Sequence, residues 1–380
     1  GKLGAHDEGT GVTLLTGSMT TAARRQALLD ITSGQAGIVI GTHALLEDRV
    51  DFFDLGLVVI DEQHRFGVEQ RATLVGKAGS DRRPHVLVMT ATPIPRTVAM
   101  TAFGALDIST LSELPAGRSP ITSHVVLSAE KPSHLARAWE RIVEEVKAGH
   151  QAYVVVPRIA SQEDKDLKPG QRQAIALEDL APQLTEGPLA SVRVGIMHGQ
   201  MPGADKDEVM QRFANGPAHK DGIDVLISTT VIEVGVDVPN ATTMVIMDAD
   251  RFGISQLHQL RGRVGRGSAP GLCLLVTEAP AFSPARERLA AVASTNDGFE
   301  LAALDLEQRR ECDVLGRNQS GMRSSLKLVS ILRDEEILEQ ARIAAVDIVN
   351  KDPELDSNPA LARAVQSLID QARAEFVKKS

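Results

Sequence analysis

The chain has 380 residues, 43% hydrophobic and 24% charged, with a formal net charge of −9. This is the composition of an ordinary globular protein, long enough for about two to three domains, and no apolar run approaches the roughly 20 residues that span a bilayer. The acidic balance argues against nucleic acid only on average, since local charge decides such binding, and the 3% of aromatic residues disfavours a base-stacking platform for single strands.

Its two cysteines, Cys273 and Cys312, stand far apart, which argues against a disulfide framework or a cysteine zinc site and fits a reducing cytoplasm. The opening GKLGAHDEGTG lacks the apolar core of a secretory signal. Val12–Leu15 reads as a short strand, Met19–Gly34 as a helix, and Ile38–Thr42 as the next strand. Leu57–Gly67, LVVIDEQHRFG, then places four apolar residues before two adjacent carboxylates, Asp61 and Glu62. Such a run predicts a buried strand of a parallel sheet, and such sheets take ligands beyond the carboxyl ends of their strands. There Asp61 suits a Mg²⁺ carried on phosphates, and Glu62 suits positioning and deprotonating an attacking water. His85–Thr90 is a further strand and runs into TATPIPRT, Thr90–Thr97, where Pro93 and Pro95 stiffen the turn into the next helix. Strands alternating with helices predict a doubly wound α/β layer.

Ser112–Pro120, SELPAGRSP, has no apolar periodicity and reads as a linker between two lobes. A helix capped by Ser133 comes next, with Leu135, Trp139, Ile142, Val143 and Val146 as its core stripe, and Trp139 reads as packing rather than ligand contact. Further strands are predicted at Ala152–Val156, Val192–Met197, Asp224–Ser228, Met244–Met247 and Leu272–Val276, with an insertion-like polar stretch, Gln162–Pro188, that holds a helix. After Thr277 the strands stop. Pro284–Ala293 and Phe299–Gln308 read as helices broken at Asn296-Asp297-Gly298, a basic loop spans Arg309–Ser325, and Glu335–Val349 and Pro359–Phe376 are further helices. Arg309–Arg333 holds six basic residues against two acids, and Arg251–Arg266 four arginines and no acid. A DNA partner would therefore be gripped through its backbone and shape.

No GxxxxGK[ST] phosphate loop occurs in the chain. The second half nevertheless carries QLHQLRGRVGRG, Gln256–Gly267, in which Arg263 and Arg266 stand three apart on a predicted helix and share a face. Two rigid, permanently charged guanidinium groups suit the charge that develops on a γ-phosphate. A surface arginine pair is the commoner explanation, but it leaves Gln259, Gly262, Gly265 and the Asp61–Glu62 pair unexplained.

With these motifs in order, the chain resembles the motor of superfamily-two helicases, and within them the RecG family of branched-DNA helicases. DEQHRFG resembles the nucleotide-hydrolysis motif, TATPIPRT the motif that couples hydrolysis to DNA movement, and STTVIEVGVDVPNA (Ser228–Ala241) with QLHQLRGRVGRG the two late motifs. GALDISTLSELPAGRSPI (Gly104–Ile121) is similar to RecG in particular, and DGFELAALDLEQRRECDVLGRNQSG (Asp297–Gly321) resembles its translocation motif, although Arg310 and Cys312 stand where the family more often has glycines. The resemblance implies an α/β fold of two RecA-like parallel-sheet lobes, the first N-terminally truncated, followed by an α-helical C-terminal region. It divides the chain into a partial first lobe (1–115), a second lobe (116–282), a translocation hairpin and loop (283–333) and C-terminal helices (334–380). The family's DNA-binding wedge domain and phosphate loop lie N-terminal to the matched motifs, so the chain reads as a C-terminal part and is expected to be inactive alone.

The resemblance also implies roles. Asp61 would hold Mg²⁺ and Glu62 would be the general base, while Gln63 and His64 would link this site to the second lobe. Gly235, Asp237 and Gln259 would approach the ATP, and Arg263 and Arg266 would be arginine fingers. Thr42, His43, Thr90, Arg96, His198 and Thr229 are candidates for DNA contact or coupling, and Arg309 and Gln319 match the translocation motif's polar positions. The implied partners are forks and Holliday junctions and a single-strand-binding protein. The implied setting is a monomer in a bacterial cytoplasm, associated with the nucleoid. Two other readings compete: a transcription-repair coupling translocase, which shares TATPIPRT and the translocation motif, and a non-catalytic DNA-binding scaffold. Retention of Asp61, Glu62, Arg263 and Arg266 together argues against the scaffold, since charged groups have no physical use in an empty cleft.

Overall fold

The computed structural model describes residues 10–17, 19–62, 73–74, 76–77, 84–90, 109–111, 119–160, 173–233, 237–309 and 335–367. The chain divides into two compact units, Gly1–Ala91 and Thr92–Ser380.

In the first unit, β1 (Gly11–Leu15), α1 (Thr21–Thr32), β2 (Ala36–Gly41), β3 (Leu57–Ile60) and β4 (His85–Val88) come in that order. The pairs β1–β2 and β3–β4 are both parallel. Thr20 caps α1 by accepting the Ala23 N–H, and Ala27 and Ile31 of α1 pack on Leu15. The Leu57 strand is not buried on both faces as its apolar run predicts. Val58 and Ile60 are 5% and 3% exposed, but Leu57 and Val59 are 59% and 52% exposed. The inner residues pack with Leu74, Leu45, Phe52 and Val86. The outward residues, like Val12, Leu14, Ile38 and Ile40 on β1 and β2, stand in solvent. Four consecutive apolar residues carry no period, so sequence cannot distinguish one covered face from two.

The second unit runs β5 (Ile121–Leu127), α2 (Pro132–Lys147), β6 (Gln151–Val155), α3 (Leu177–Glu186), β7 (Val194–Met197), α4 (Gly203–Asn215), β8 (Val225–Ser228), β9 (Ala241–Ile246), α5 (Ile254–Arg261), β10 (Gly271–Thr277), α6 (Pro284–Ser294), α7 (Gly298–Arg309) and α8 (Glu335–Lys351). Its six strands form one sheet in the order β5-β10-β9-β6-β8-β7, every pair parallel. Apolar helix residues cover both faces. Trp139 and Ile142 of α2 and Leu180 and Leu184 of α3 pack on Val154, Ile227 and Val245. Phe213 of α4, Leu257 and Leu260 of α5, Leu289 and Val292 of α6 and Leu301 of α7 pack with Tyr153, Met244 and Leu275. Buried on both sides, β6, β8 and β9 show no exposed residue, as parallel strands between helices require.

Two details depart from the sequence reading. β5 was not among the expected strands, although Ile121, Ser123 and Val125 alternate with Thr122, His124 and Val126; it is an edge strand, half polar, and pairs with β10 alone. α2 begins at Pro132 behind Lys131, which makes no side-chain cap, so Ser133 is inside the first turn and not its cap. Proline suits that position because its missing N–H is one of those left unpaired there. Residues 359–367 are helical, and the linker Ser112–Pro120, apart from Ser119 and Pro120, lies outside the described residues. No helix among the described residues is long and apolar enough to cross a membrane.

One buried carboxylate secures the β7–β8 edge. Asp224 is 5% exposed. It accepts from the Arg193 N–H at 2.9 Å, Nε at 3.0 Å and Nη2 at 2.6 Å, while Arg193 Nη1 and Nη2 also donate to the His219 and Pro217 carbonyls at 2.6 and 2.9 Å. Asp224→Ala leaves these donors without a shared acceptor and is expected to cost about 1–3 kcal/mol, read as a shift of the urea midpoint at unchanged slope. A shift of only a few tenths of a kcal/mol would show that water replaces the carboxylate.

Candidate functional site

In the first unit, Asp61 and Glu62 emerge directly from the carboxyl end of β3. Glu62 has a φ of +51°, a left-handed backbone that a glutamate rarely adopts. Its N–H turns back onto Asp61 Oδ1 at 2.8 Å. Strain of this kind persists where the surroundings impose it and gathers at functional sites. Thr42 and His43 come after β2, both exposed, and Thr90 comes after β4. Gln63, His64 and Arg96 lie outside the described residues. Among the described residues no cluster of three or more His, Cys, Asp or Glu could itself hold a metal ion. A carboxylate pair fits the alternative, a Mg²⁺ that arrives with its phosphates and takes one or two carboxylates from the protein.

In the second unit the expected residues divide between the two ends of the sheet. His198 follows β7 and Thr229 follows β8, at the carboxyl ends, where the Thr229 N–H donates to the Met197 carbonyl at 3.3 Å. Nδ1 of His198 is buried there with no hydrogen-bond partner. Asp237, Gln259, Arg263 and Arg266 belong to the other end. Asp237 precedes β9 by a short turn, and the Arg263–Gly267 turn sits between Pro239, before β9, and Ser119–Ile121, where β5 starts. A Cβ at Gly265 would meet Ile121 Cγ1 at 2.9 Å, and one at Gly267 the Pro239 carbonyl at 2.6 Å, so both glycines are required by close approach. Thr229 and Asp237 therefore stand at opposite ends of the sheet; Gly235, between them in sequence, lies outside the described residues.

Arg263 and Arg266 are not on a helix. α5 ends at Arg261 with Gly262 as its cap, and Gly265 at φ +68° turns the chain away. Arg266 Nε donates to the Gly262 carbonyl at 2.8 Å and Nη1 to Asp237 Oδ1 at 3.1 Å, which joins two residues that sequence had assigned separately to the nucleotide. Burial pushes the Tyr153 phenol up to about 12, against the pull of Arg263 and Arg266.

Sequence reasoning missed Arg261 and His258. Arg261 is 2% exposed and donates to two carbonyls of the α6 end and to His258 Nδ1. Burial, and then the Arg261 cation, push His258 down to about 4. The signal was present: Arg261 lies one turn after Leu257, on the apolar side of α5. Arg309 ends α7, though its side chain is not among those described, and Gln319 lies outside the described residues.

A doubly wound parallel lobe with QLHQLRGRVGRG folded at one end of its sheet, in one chain with an α/β unit whose strand ends in DE, resembles the domains of superfamily-two helicases. Family models agree: residues 2–101 match the DEAD/DEAH box helicase, 134–268 the helicase conserved C-terminal domain, and 295–375 the C-terminal part of domain 3 of the ATP-dependent DNA helicase RecG. The chain is 53% identical over all 380 residues to the ATP-dependent DNA helicase RecG of Mycobacterium tuberculosis and 46% identical over 350 residues to that of Synechocystis. It covers 50% and 40% of those proteins, so it spans about half the length of the curated relatives it matches. Among solved structures it is similar to RecG bound to a three-way DNA junction, with a TM-score of 0.59 and 35% identity over 88% of this chain and 40% of that one. The chain belongs to the RecG family.

Proposed function

We propose that the chain is the motor part of an ATP-dependent translocase that remodels forks and Holliday junctions by moving on double-stranded DNA. The observation that carries this is the 53% identity that extends over every residue of the chain to proteins named ATP-dependent DNA helicase RecG. The match of 295–375 to a RecG-specific model favours this reading over the transcription-repair one. In it, residues 1–115 and 116–282 are the two lobes, 283–333 the translocation hairpin and loop, and 334–380 the C-terminal helices. The work is that of a monomer in the bacterial nucleoid.

Asp61 would hold the Mg²⁺ that arrives with ATP, and Glu62 would take the proton of the attacking water. Bound with ATP, Mg²⁺ neutralises charge on the phosphates. Gln63 and His64 relay the state of this site, and Gly235, Asp237 and Gln259 seat the nucleotide. Arg263 and Arg266 stabilise the charge that develops on the γ-phosphate. Thr42, His43, Arg96, His198 and Thr229 hold the DNA backbone, and Thr90, in TATPIPRT, serves DNA contact or coupling. The division of His198 and Thr229 from Asp237 and Arg266 across the sheet supports separate DNA and nucleotide surfaces on one lobe.

Arg309 and Gln319 form the lever that turns lobe closure into a step. Alanine at both positions of the full-length protein is expected to leave DNA-stimulated ATP turnover largely intact and to abolish fork unwinding. Phosphate release and strand separation, measured on one forked substrate, check this. Normal unwinding per ATP in the double variant removes the lever. Absence of DNA-stimulated turnover in the unaltered protein removes the motor.

A further inference from the structure

Resting on the reading of α6 and α7 as the translocation hairpin, we infer that Arg261 is a positioning residue that ties this hairpin to the arginine-bearing turn and transmits the movement of one to the other. α6 ends with carbonyls that no further helical turn can satisfy. Arg261 Nη1 meets two of these, donating to the Val292 carbonyl at 2.7 Å and the Thr295 carbonyl at 2.8 Å. A cation there also faces the negative end of the α6 dipole. Arg261 is 2% exposed and its guanidinium has no carboxylate among these contacts, so the carbonyls and His258 Nδ1 at 2.8 Å are its compensation for lost water.

Donor chemistry fixes the histidine's role. Arginine has no acceptor, so His258 Nδ1 must offer its lone pair and the ring carries its proton on Nε2. A protonated ring could not make this bond, and the low pKa of His258, about 4, keeps it neutral at physiological pH.

The position of the tie matters as much as its strength. Arg261 is two residues before Arg263, with only the Gly262 cap between them, so its backbone moves with the turn that carries both arginines. At its other end are the last residues of α6 and the Asn296-Asp297-Gly298 corner, from which α7 leads toward Arg309. A second bond, Ser255 Oγ to Asp305 Oδ2 at 3.0 Å, holds the start of α5 against α7. Leu257, Leu260, Leu289, Val292 and Leu301 fill the space between the three helices. α5 is thus tied at its last residue to the end of α6 and at its start to α7, so that the three move as one body, and Arg261 is the tie nearer the arginines.

The test uses the full-length protein on a forked duplex, with ATP turnover and base pairs separated per ATP both measured. Arg261→Gln is expected to keep kcat for DNA-stimulated turnover within about threefold and to lower base pairs per ATP at least tenfold, the factor that the loss of one charge-assisted hydrogen bond can make. His258→Leu, which removes only the acceptor, should lower the same ratio in the same direction. His258→Asn, whose Oδ1 takes the place of Nδ1, should restore it. An unchanged ratio in Arg261→Gln overturns the inference. So does a proportional fall of turnover and unwinding with a lower melting temperature, since that marks a merely structural arginine. Should Arg261→Gln not fold, the His258 pair decides alone: equal ratios in the Leu and Asn variants sink the tie. A wild-type protein without DNA-stimulated turnover instead fails in the first arm, and there the motor reading itself is what is lost.

Discussion

Arg263→Lys in the full-length protein is expected to lower DNA-stimulated ATP turnover by about 10³–10⁵-fold, the range that separates phosphoryl-transfer enzymes with and without an arginine finger. The geometry explains why a retained positive charge should not suffice. Arg263 is held in a turn, its N–H bonded to the Leu260 carbonyl at 2.9 Å, followed by Val264 at 1% exposure and by Gly265 at φ +68°. The backbone that carries the Arg263 guanidinium is thus fixed by one buried side chain and one glycine. Lysine places a point charge on a flexible stem and cannot present the planar fork. ATP binding should survive, because an interaction made in the transition state lowers kcat without weakening the ground state. Single-turnover phosphate release and nucleotide titration separate the two. Turnover in the Lys variant at the wild-type rate would show that Arg263 never reaches the phosphate.

What sequence showed and hid obeys a physical division. Strands buried on both faces, such as β6, β8 and β9, were legible as apolar runs, because a parallel strand between helices has no solvent face to mark. β5 was missed for the opposite reason: its Thr122, Ser123 and His124 are an edge strand's polar residues and dilute the pattern. The acids at the end of β3 were legible because chain direction alone puts residues 61 and 62 at the strand's carboxyl end, where a parallel sheet takes its ligands. The arginines were legible as a pair but not as a turn, since Gly262 and Gly265 can sit in a helix, cap one or break one, and only packing against Ile121 and Pro239 decides. Arg261 was hidden because its partners are main-chain carbonyls of α6, 31 and 34 residues away in sequence, and carbonyls leave no trace in a side-chain motif. The Arg266–Asp237 pair was hidden for a related reason, since a separation of 29 residues carries no periodic signal.

Glu62→Gln is expected to lower turnover by roughly 10²–10⁴-fold, the contribution of a positioned general base, while nucleotide and DNA binding persist. The substitution is isosteric and removes only the basic oxygen. It also leaves the backbone demand unchanged, because Gln, like Glu, is forced at φ +51°. Loss of rate in this variant is therefore loss of the base and not relief or increase of strain. A second substitution reads the strain itself. Glu62→Gly removes the Cβ that makes the left-handed conformation costly, by about 1–2 kcal/mol for a non-glycine residue. It should raise stability by up to about 1 kcal/mol, once the extra freedom of an unfolded glycine is subtracted. The Gly variant should then be more stable than wild type and as inactive as the Gln variant, which is the pattern of a residue kept strained for its chemistry. Thermal melting and steady-state phosphate release on the full-length protein check both halves. Near-normal turnover in Glu62→Gln with DNA present would end the assignment of the base, and a Gly variant less stable than wild type would end the account of strain at the end of β3.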